Sequence, residues 1–224
     1  MKFEYVLEGN NINKKFRGFT LDVPHFHIPK GFATALIGEN GAGKTTLMNI
    51  LAGIRLDYKG ELTYFGQYHD KDREDNPIVK EQYAYTGPGT YYLPQWTVGQ
   101  IRNLNQLLFE NFHEDRFEAL CERLAVGGEG NVSKKKVRSL SDGNKMKLMI
   151  ASALARDTKL LMMDEPASPL DPLMRDCLCS LIREYLAENE GENSVFFSTH
   201  NIADMENVTD YAIIMERGRI VEEG

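Results

Sequence analysis

The residues with the clearest chemistry lie between positions 38 and 46, where the chain reads GENGAGKTT. Their types and spacing fit G-x-x-x-x-G-K-[ST], a loop that wraps a polyphosphate in backbone N–H groups. Glycines suit such a loop because side chains must be absent where the backbone bends around the anion. The lysine supplies positive charge to the β- and γ-phosphates, and the next hydroxyl can ligate Mg²⁺. The pattern predicts a nucleoside-triphosphate site at this phosphate loop, which comprises Gly38, Glu39, Asn40, Gly41, Ala42, Gly43, Lys44, Thr45 and Thr46.

A second group with clear chemistry follows the apolar run at residues 160–163, in the segment KLLMMDEP. The run predicts a buried strand, and Asp164 and Glu165 come at its C-terminal end, the edge at which doubly wound sheets bind ligands. Asp164 is placed to hold Mg²⁺ directly or through water, and Glu165 can polarise a water for in-line attack on a γ-phosphate. In isolation the two acids could simply begin a turn before Pro166, but the phosphate loop favours the catalytic interpretation.

The elements that must position these groups follow from hydrophobic periodicity. Residues 33–37 predict a buried strand, and TTLMNILAGI predicts a helix whose N-terminus lies under the phosphates. Beyond residue 156, short apolar runs alternate with helical segments, in the order LLMMD, 172–189, SVFFSTH, 201–207 and YAIIM. Alternating strands and helices predict a parallel α/β sheet.

The other segments predict structure around that sheet. Polar and apolar residues alternate around FTLDVPHFHI within residues 1–30, which indicates antiparallel strands, and residues 61–65 indicate another strand. The strongly charged residues 67–80 predict a solvated loop. Apolar spacings of three and four predict helices in 97–126 and, after the break GGEGN, from 142 to 156.

Composition limits the classes of protein that remain. The chain has 224 residues and a net charge of -7, so it lacks the positive field expected of a nucleic-acid-binding protein. No apolar run approaches the ~20 residues that span a bilayer, and the N-terminal residues show no signal-peptide core. Cys121, Cys177 and Cys179 are expected to be reduced thiols and not a metal clip.

The order of these motifs resembles that of the ATP-binding-cassette (ABC) ATPases over essentially the whole chain. The family signature LSGGQ is matched by LSDGN, the signature segment, which consists of Leu140, Ser141, Asp142, Gly143 and Asn144. Asp171 in SPLDP is similar to the family's D-loop aspartate, and His200 in FFSTHN is similar to its switch histidine. Phe16 in NKKF resembles the aromatic residue that stacks on adenine, and IMERGRIVEEG resembles the final hairpin.

The resemblance implies an α/β fold of the P-loop NTPase class. A RecA-like core and an antiparallel β lobe would occupy about residues 1–86 and 156–224, with an inserted α-helical subdomain at about 87–155. The implied cofactors are ATP and Mg²⁺, with Thr45 and Asp164 holding the metal. Lys44, Glu165 and His200 would serve the hydrolysis of ATP to ADP and phosphate.

The resemblance also implies partners. In this family the signature segment of one subunit caps the γ-phosphate that another subunit holds, because Ser141 and the backbone of Gly143 form an anion site at a helix N-terminus. A second ATPase subunit, identical or different, and transmembrane permease subunits at the cytoplasmic face of the membrane are therefore expected. LSDGNKMK is similar to bacterial exporters of the bacitracin- and peptide-resistance type. Asp142 and Asn144 depart from the consensus glycine and glutamine, and the added negative charge near the phosphate could slow hydrolysis.

The sequence is also compatible with a function other than transport. A soluble ABC-type ATPase could act on nucleic acid, ribosomes or cofactor assembly. The acidic balance and the single cassette argue against it, so no nucleic-acid partner is expected.

Three features have a second interpretation. Phe16 could be an ordinary core aromatic residue, and His200 could be a core histidine instead of a donor to the γ-phosphate. The basic run at residues 134–138 could be a solvated face or a contact with a membrane partner or lipid headgroups.

The family pattern fails in the segment YTGPGTYYLPQWTV, where relatives carry a glutamine that touches Mg²⁺ and senses the membrane partner. Aligning the TV at 97–98 puts Pro88 at that position, so that water would complete the metal shell. An alternative register matches YLPQ and nominates Gln95. A surface socket for a coupling helix of the transmembrane subunit is predicted from the apolar residues Tyr91, Tyr92, Leu93, Pro94 and Trp96, some of which must also pack beneath the helices.

Overall fold

Two β-sheets organise the chain in a computed structural model that describes residues 4–89, 91–128 and 130–224, except for the side chains of 73–75. The antiparallel sheet has the order β2-β1-β4-β5, and the second sheet has the order β10-β9-β3-β8-β7-β6. The first contains β1 (Tyr5–Phe16), β2 (Phe19–Pro29), β4 (Lys59–Tyr64) and β5 (Tyr68–His69). The second contains β3 (Ala33–Ile37), β6 (Tyr83–Thr86), β7 (Leu160–Asp164), β8 (Ser194–Thr199), β9 (Tyr211–Glu216) and β10 (Arg219–Glu223). All pairings in the second sheet are parallel except that of β9 with β10.

The helices lie between these strands in the chain. They are α1 (Lys44–Leu51), α2 (Asp70–Asp75), α3 (Pro77–Glu81), α4 (Val98–Leu108), α5 (Glu114–Arg123), α6 (Asp142–Leu154) and α7 (Pro172–Ala187). The inserted helices α4, α5 and α6 all fall between β6 and β7, two strands that are neighbours in the sheet. None of the helices formed by the described residues is both long and apolar enough to traverse a bilayer.

Helix α1 is held between the two sheets. Leu47, Met48, Ile50 and Leu51 are fully buried in a core cluster that also contains side chains of both sheets. A second core cluster joins the opposite face of the parallel sheet to α4–α7. Because α1 has apolar partners on both sides, its N-terminus and the loop before it have a fixed position at the edge of the sheet.

Most of the predicted elements are confirmed. The strand at 33–37, the antiparallel strands within 1–30, the alternating strands and helices after 156 and the final hairpin all form. Residues 201–207 form only two short 3₁₀ turns, at Ile202–Asp204 and Glu206–Val208. Strand β6 was not predicted, because its four residues YAYT give too short a pattern for alternation to identify.

The prediction of a solvated loop at residues 67–80 is wrong, because β5, α2 and α3 lie there. Local capping explains these short charged helices. The Asp72 carboxylate accepts a hydrogen bond from the His69 backbone N–H at 2.8 Å. Asn76 accepts from the Ile78 N–H at 3.0 Å and is followed by proline at the first helical position. The high charge of residues 67–80 indicated a loop, although the capping residues of α2 and α3 are also present in the sequence.

The three cysteines are free thiols, as predicted. Cys121 and Cys179 are buried, and Cys177 is partly exposed on α7. Burial raises the pKa of Cys121 to about 12, so this thiol stays protonated and packs as a small apolar group.

Candidate functional site

The phosphate loop connects β3 to α1 at the C-terminal edge of the parallel sheet. Its backbone requires glycine at residue 43, where φ is 110° and a Cβ atom would lie 2.8 Å from the Phe19 ring. Gly41 also has positive φ, at 85°, but faces open space. The loop therefore turns sharply into the N-terminus of α1, which leaves backbone N–H groups available to an anion.

Lys44 is folded back across this loop. Its Nζ atom donates to the carbonyl oxygens of Gly38 at 2.7 Å and Glu39 at 3.2 Å. The same ammonium group lies 3.2 Å from Oε1 of Glu165, and the lysine is only 5% exposed. A buried positive charge is thus held at the centre of the loop by three oxygens of the protein itself.

Asp164 lies at the end of β7, directly beside Ser198 of β8 in the parallel register. The side chain is fully buried, and the Ser198 hydroxyl donates a hydrogen bond to its Oδ1. Its Oδ2 has no hydrogen-bond partner among the described residues. Burial raises the pKa of Asp164, whereas the nearby Ser198 and Thr45 hydroxyls oppose the rise. Such an orphaned carboxylate oxygen is suited to a cation.

Glu165 adopts a backbone conformation that non-glycine residues rarely adopt, with φ at 52°. This conformation costs about 1–3 kcal/mol and is held by the Ser198 hydroxyl, which accepts from the Glu165 N–H at 3.0 Å. The turn directs the carboxylate between two groups. Oε1 faces Lys44, and Oε2 lies 2.8 Å from Nδ1 of His200.

His200 follows β8 and is exposed over 42% of its side chain, which is inconsistent with a core histidine. A carboxylate can only accept hydrogen bonds, so neutral His200 must place its single N–H on Nδ1, toward Glu165. Its Nε2 then lacks a proton, and donation to a phosphate from Nε2 requires the imidazolium form.

Phe16 lies at the end of β1, next to the tight turn into β2, and is 38% exposed, which does not fit a core position. The Arg55 guanidinium lies 5.2 Å from its ring centroid, and Lys14 Nζ lies 5.5 Å from it. Phe19, whose ring centroid is 6.0 Å away, contacts the phosphate loop beside Gly43. The exposed Phe16 ring is therefore separated from the phosphate loop only by the Phe19 side chain.

The signature segment forms a separate cluster at the N-terminus of α6. The Ser141 hydroxyl caps the helix by accepting from the Asn144 backbone N–H at 3.2 Å. Asn144 Oδ1 accepts from the Gly127 N–H at 2.8 Å, and Gly143 packs so closely that a Cβ would lie 2.6 Å from the Pro169 carbonyl oxygen. The Asp142 side chain is 89% exposed and pairs with Lys145 of the same helix turn.

The predicted site residues thus fall into two groups. The phosphate loop, Asp164, Glu165 and His200 meet at one edge of the sheet. The second group is the signature segment, whose first residue Leu140 is buried, together with Asp171. Asp171 caps α7 by accepting from the Met174 N–H at 3.1 Å. No hydrogen bond or ion pair within the described parts of the chain joins the two groups.

The apolar residues of the predicted socket, within 91–96, divide between solvent and the core. Tyr91 and Leu93 are exposed, at 57% and 46%, whereas Tyr92 and Trp96 pack against the core. Tyr92 and Trp96 turn inward because they pack against the core cluster that contains α4, as expected for part of this segment. Only Tyr91, Leu93 and Pro94 are then exposed for a coupling helix, and the socket stays a prediction. Gln95 lies in the stretch that is hydrogen-bonded to residues 137–138 and makes no described contact with the phosphate loop.

Two residues near the site were missed from the sequence. Ser198 joins Asp164 to Glu165, and its signal was a serine that interrupts the buried apolar run of β8. Arg55, over the Phe16 ring, follows α1 in a segment without a recognisable pattern. A cleft of about 680 Å³ extends from the phosphate loop past His200 to the β9–β10 turn, a size in the range of small-molecule sites.

Comparison with known proteins agrees with this geometry. A family model described as ABC transporter matches residues 21–168. The bacitracin transport ATP-binding protein BcrA of Enterococcus faecalis is 30% identical, over 100% of this chain and 70% of its own. The tungstate uptake system ATP-binding protein TupC of Peptoclostridium acidaminophilum is 27% identical, over 95% of each chain.

Solved structures share the fold. An ATP-binding subunit of an ABC transporter has a TM-score of 0.80 at 25% identity, covering 98% of this chain and 89% of its own. A dimeric bacterial ABC transporter cassette also has a TM-score of 0.80, at 19% identity and 97% of both chains. At that identity the second likeness shows the fold alone.

Proposed function

Because this chain belongs to the ABC transporter family and is an ATP-binding, ATP-hydrolysing subunit, we propose that it powers an exporter as one half of an ATPase dimer. The observation that carries the proposal is the approach of Lys44 Nζ to Glu165 Oε1 at 3.2 Å. It brings a phosphate-binding cation and a candidate general base together at one edge of the sheet.

ATP binds with its phosphates over the phosphate loop and its adenine beside Phe16. The loop N–H groups and the N-terminus of α1 face the polyphosphate. Lys44 exchanges the two carbonyl oxygens and the Glu165 carboxylate for the β- and γ-phosphates. The exposed Phe16 ring offers a stacking surface, and Arg55 above it adds positive charge.

Mg²⁺ fits the residues at the end of β7. Asp164 Oδ2 is buried without a hydrogen-bond partner among the described residues, and the Thr45 side chain lies near enough to influence the Asp164 pKa. Carboxylate and hydroxyl oxygens are the ligands that Mg²⁺ prefers. When bound, the metal would neutralise the charge that develops on the phosphate oxygens.

Glu165 acts as the general base in the hydrolysis. Its carboxylate accepts a proton from a water whose oxygen attacks the γ-phosphorus, and the bond to the β-phosphate oxygen breaks to release ADP and phosphate. Because ATP removes Lys44 from the carboxylate, Glu165 becomes available only when the nucleotide is in place. His200 orients Glu165 through the 2.8 Å contact of its Nδ1.

A second subunit supplies the remaining anion site. The Ser141 hydroxyl and the backbone at Gly143 lie at the N-terminus of a 13-residue helix but are separate from the chain's own phosphate loop. A head-to-tail dimer would bring this signature segment over the γ-phosphate of the partner. The pairing of Asp142 with Lys145 lowers the local negative charge that an incoming phosphate would meet.

The dimer would bind separate transmembrane permease subunits at the cytoplasmic face of the membrane. The relative at 30% identity over the whole chain is a bacitracin transport protein, and SrtF of Streptococcus pyogenes, at 29%, is a lantibiotic transport protein. We therefore favour export, although TupC is an uptake protein.

Glu165→Gln tests the catalytic and dimer assignments together. We expect ATP still to bind, hydrolysis to fall by about 10² or more, and an ATP-dependent dimer to accumulate in light scattering. Glu61→Gln, on the exposed face of β4, is the matched control and should behave as wild type. Wild-type turnover in Glu165→Gln would remove the residue from the catalytic role.

Lys44→Ala and co-purification test the remaining parts. Lys44→Ala should abolish or strongly weaken ATP binding in calorimetry, because the phosphates lose their buried cation. Co-purification in detergent should recover membrane-spanning partners. A chain that is always isolated alone, with an ATPase that responds to nucleic acid, would contradict the transporter assignment.

A further inference from the structure

The loop after β6 brings two tyrosine hydroxyls together over Gly87. A Cβ atom at Gly87 would lie 2.5 Å from the Tyr85 hydroxyl oxygen and 3.0 Å from that of Tyr91. The two ring centroids are 6.2 Å apart. Gly87 is buried and has no unusual φ. Glycine is required at this position because the two hydroxyls occupy the space of a side chain, and not because of the backbone conformation.

The strand register places this pair beside Asp164. In the parallel pairing of β6 with β7, Tyr85 is opposite Met162 and Thr86 is opposite Met163. Strand β6 ends at Thr86, so Gly87 follows it at the same edge of the sheet at which Asp164 follows Met163. Asp164 is two residues beyond Met162 on β7 and so projects from the same face as Met162. Side chains of opposed residues in parallel strands project from the same face, so the hydroxyls over Gly87 and the Asp164 carboxylate share one side of the sheet.

The electrostatics agree with this placement. Burial raises the pKa of both Tyr85 and Tyr91, and the negative charge of Asp164 adds to the rise in each case. The hydrogen bond between the two hydroxyls adds to the rise for Tyr85 and opposes it for Tyr91. The carboxylate next to them has an oxygen, Oδ2, without a partner among the described residues.

The two tyrosines have different tasks. The Tyr85 hydroxyl donates to Oδ1 of Asn49 at 3.1 Å and so binds β6 to α1, the helix that begins with Lys44. Its donor is already used. Tyr91 belongs to the loop, is 57% exposed, and brings its hydroxyl to the same point from the outer side. The two hydroxyls are hydrogen-bonded to each other, so Tyr91 donates its proton to the Tyr85 oxygen. The Tyr91 oxygen keeps a lone pair, which can accept a hydrogen bond from a water on a metal ion.

We propose that Tyr91 is a positioning residue for Mg²⁺–ATP, and that its hydroxyl holds a water of the metal's shell next to Asp164. Pro88, which the sequence aligns with the family's glutamine ligand, is exposed and has no side-chain donor or ligand atom. The inference rests on the proposed Mg²⁺ site. Since Tyr91 is two residues from the exposed Leu93, a partner that displaces this loop would also withdraw the hydroxyl.

Tyr91→Phe tests the inference because it removes only the hydroxyl. ATP affinity is measured by calorimetry with Mg²⁺ and with a chelator, alongside the thermal midpoint. We expect the Mg²⁺-dependent gain in affinity to fall by about tenfold, the effect of one hydrogen bond near a charge. Affinity in chelator and the thermal midpoint should match wild type. Tyr68→Phe, on the short strand β5, is the matched control and should retain the full gain.

Gly87→Ala is a second, independent variant, since its methyl group would displace both hydroxyls. It should lose the Mg²⁺-dependent gain as Tyr91→Phe does. A full gain in Tyr91→Phe overturns the inference and leaves the proposed function intact. An equal loss with and without Mg²⁺ shows a merely structural role and also overturns it. A wild-type chain whose ATP affinity ignores Mg²⁺ overturns the proposed metal site itself.

Discussion

Ser198→Ala should destabilise the chain more than its small size suggests, because one hydroxyl serves two groups of the site. It donates to the buried Asp164 carboxylate and accepts from the N–H of Glu165, whose backbone is strained. A hydrogen bond to a charged group contributes about 1.5–3 kcal/mol, and an unsatisfied donor costs about 1–3 kcal/mol. Because solvent can reach part of Glu165, we expect a total loss of about 2–4 kcal/mol in the free energy of unfolding at pH 8.

The loss should depend on pH with a definite sign. Burial raises the pKa of Asp164 in the folded chain above its value in the unfolded chain. Its contribution to stability is therefore complete at pH values below the unfolded-state pKa and is lost as pH rises through the folded-state pKa. Ser198 opposes that rise, and its removal raises the folded pKa further. The variant should therefore lose more stability relative to wild type at pH 8 than at pH 5.

Urea unfolding followed by circular dichroism at both pH values measures these differences. Ser180→Ala is the matched control, because its hydroxyl donates to the Asp176 carbonyl and accepts from Arg183, both within α7, and contacts no buried carboxylate. In an Asp164→Asn background, Ser198→Ala should cost only about 1 kcal/mol, the value of a neutral hydrogen bond. A loss below about 1 kcal/mol at pH 8, or the same loss in both backgrounds, would refute the reasoning.

Further predictions concern the loop, the adenine site and residues 91–96. Gly43→Ala should lower the free energy of unfolding by about 1–3 kcal/mol and abolish ATP binding. Gly41→Ala should lower it by only about 1 kcal/mol, because Gly41 faces open space. Thermal unfolding and calorimetry distinguish the two variants. Phe16→Ala should weaken ATP binding in calorimetry by about 1–3 kcal/mol, the value of base stacking, with an unchanged thermal midpoint. Tyr92→Ala should destabilise the chain by about 2–4 kcal/mol in urea, whereas Leu93→Ala should not, since only Tyr92 packs on the core.

The sequence identified the parts of the fold that have strong local patterns. The glycines and lysine of the phosphate loop, and the apolar run before Asp164, each predicted their element and its edge of the sheet. Strand β6 gave no such pattern, although it pairs Tyr85 and Thr86 with Met162 and Met163, the two residues that precede Asp164. The helices α2 and α3 were missed because their charges suggested a solvated loop, while the caps at His69 and Asn76 stabilise them.

The geometry of the site depends on contacts that no spacing rule encodes. The positive φ of Glu165 arises from the turn after β7 and from a hydrogen bond to Ser198, 33 residues away in the chain. The inward orientation of Tyr92 depends on its packing against the helical core. Such features follow from tertiary partners, so they become visible only when the strands and helices are placed together.

The occupancy of Lys44 by protein oxygens affects how nucleotide affinity is measured. Glu165 behaves as a built-in competitor for the lysine, since ATP must displace it before the phosphates can take its place. Substituting glutamine at that position removes the competitor together with the base. Affinities obtained with such a hydrolysis-deficient variant would then exceed those of the native chain for a reason unrelated to turnover. The nucleotide affinity of the native chain is therefore better measured with a non-hydrolysable ATP analogue and the unaltered sequence.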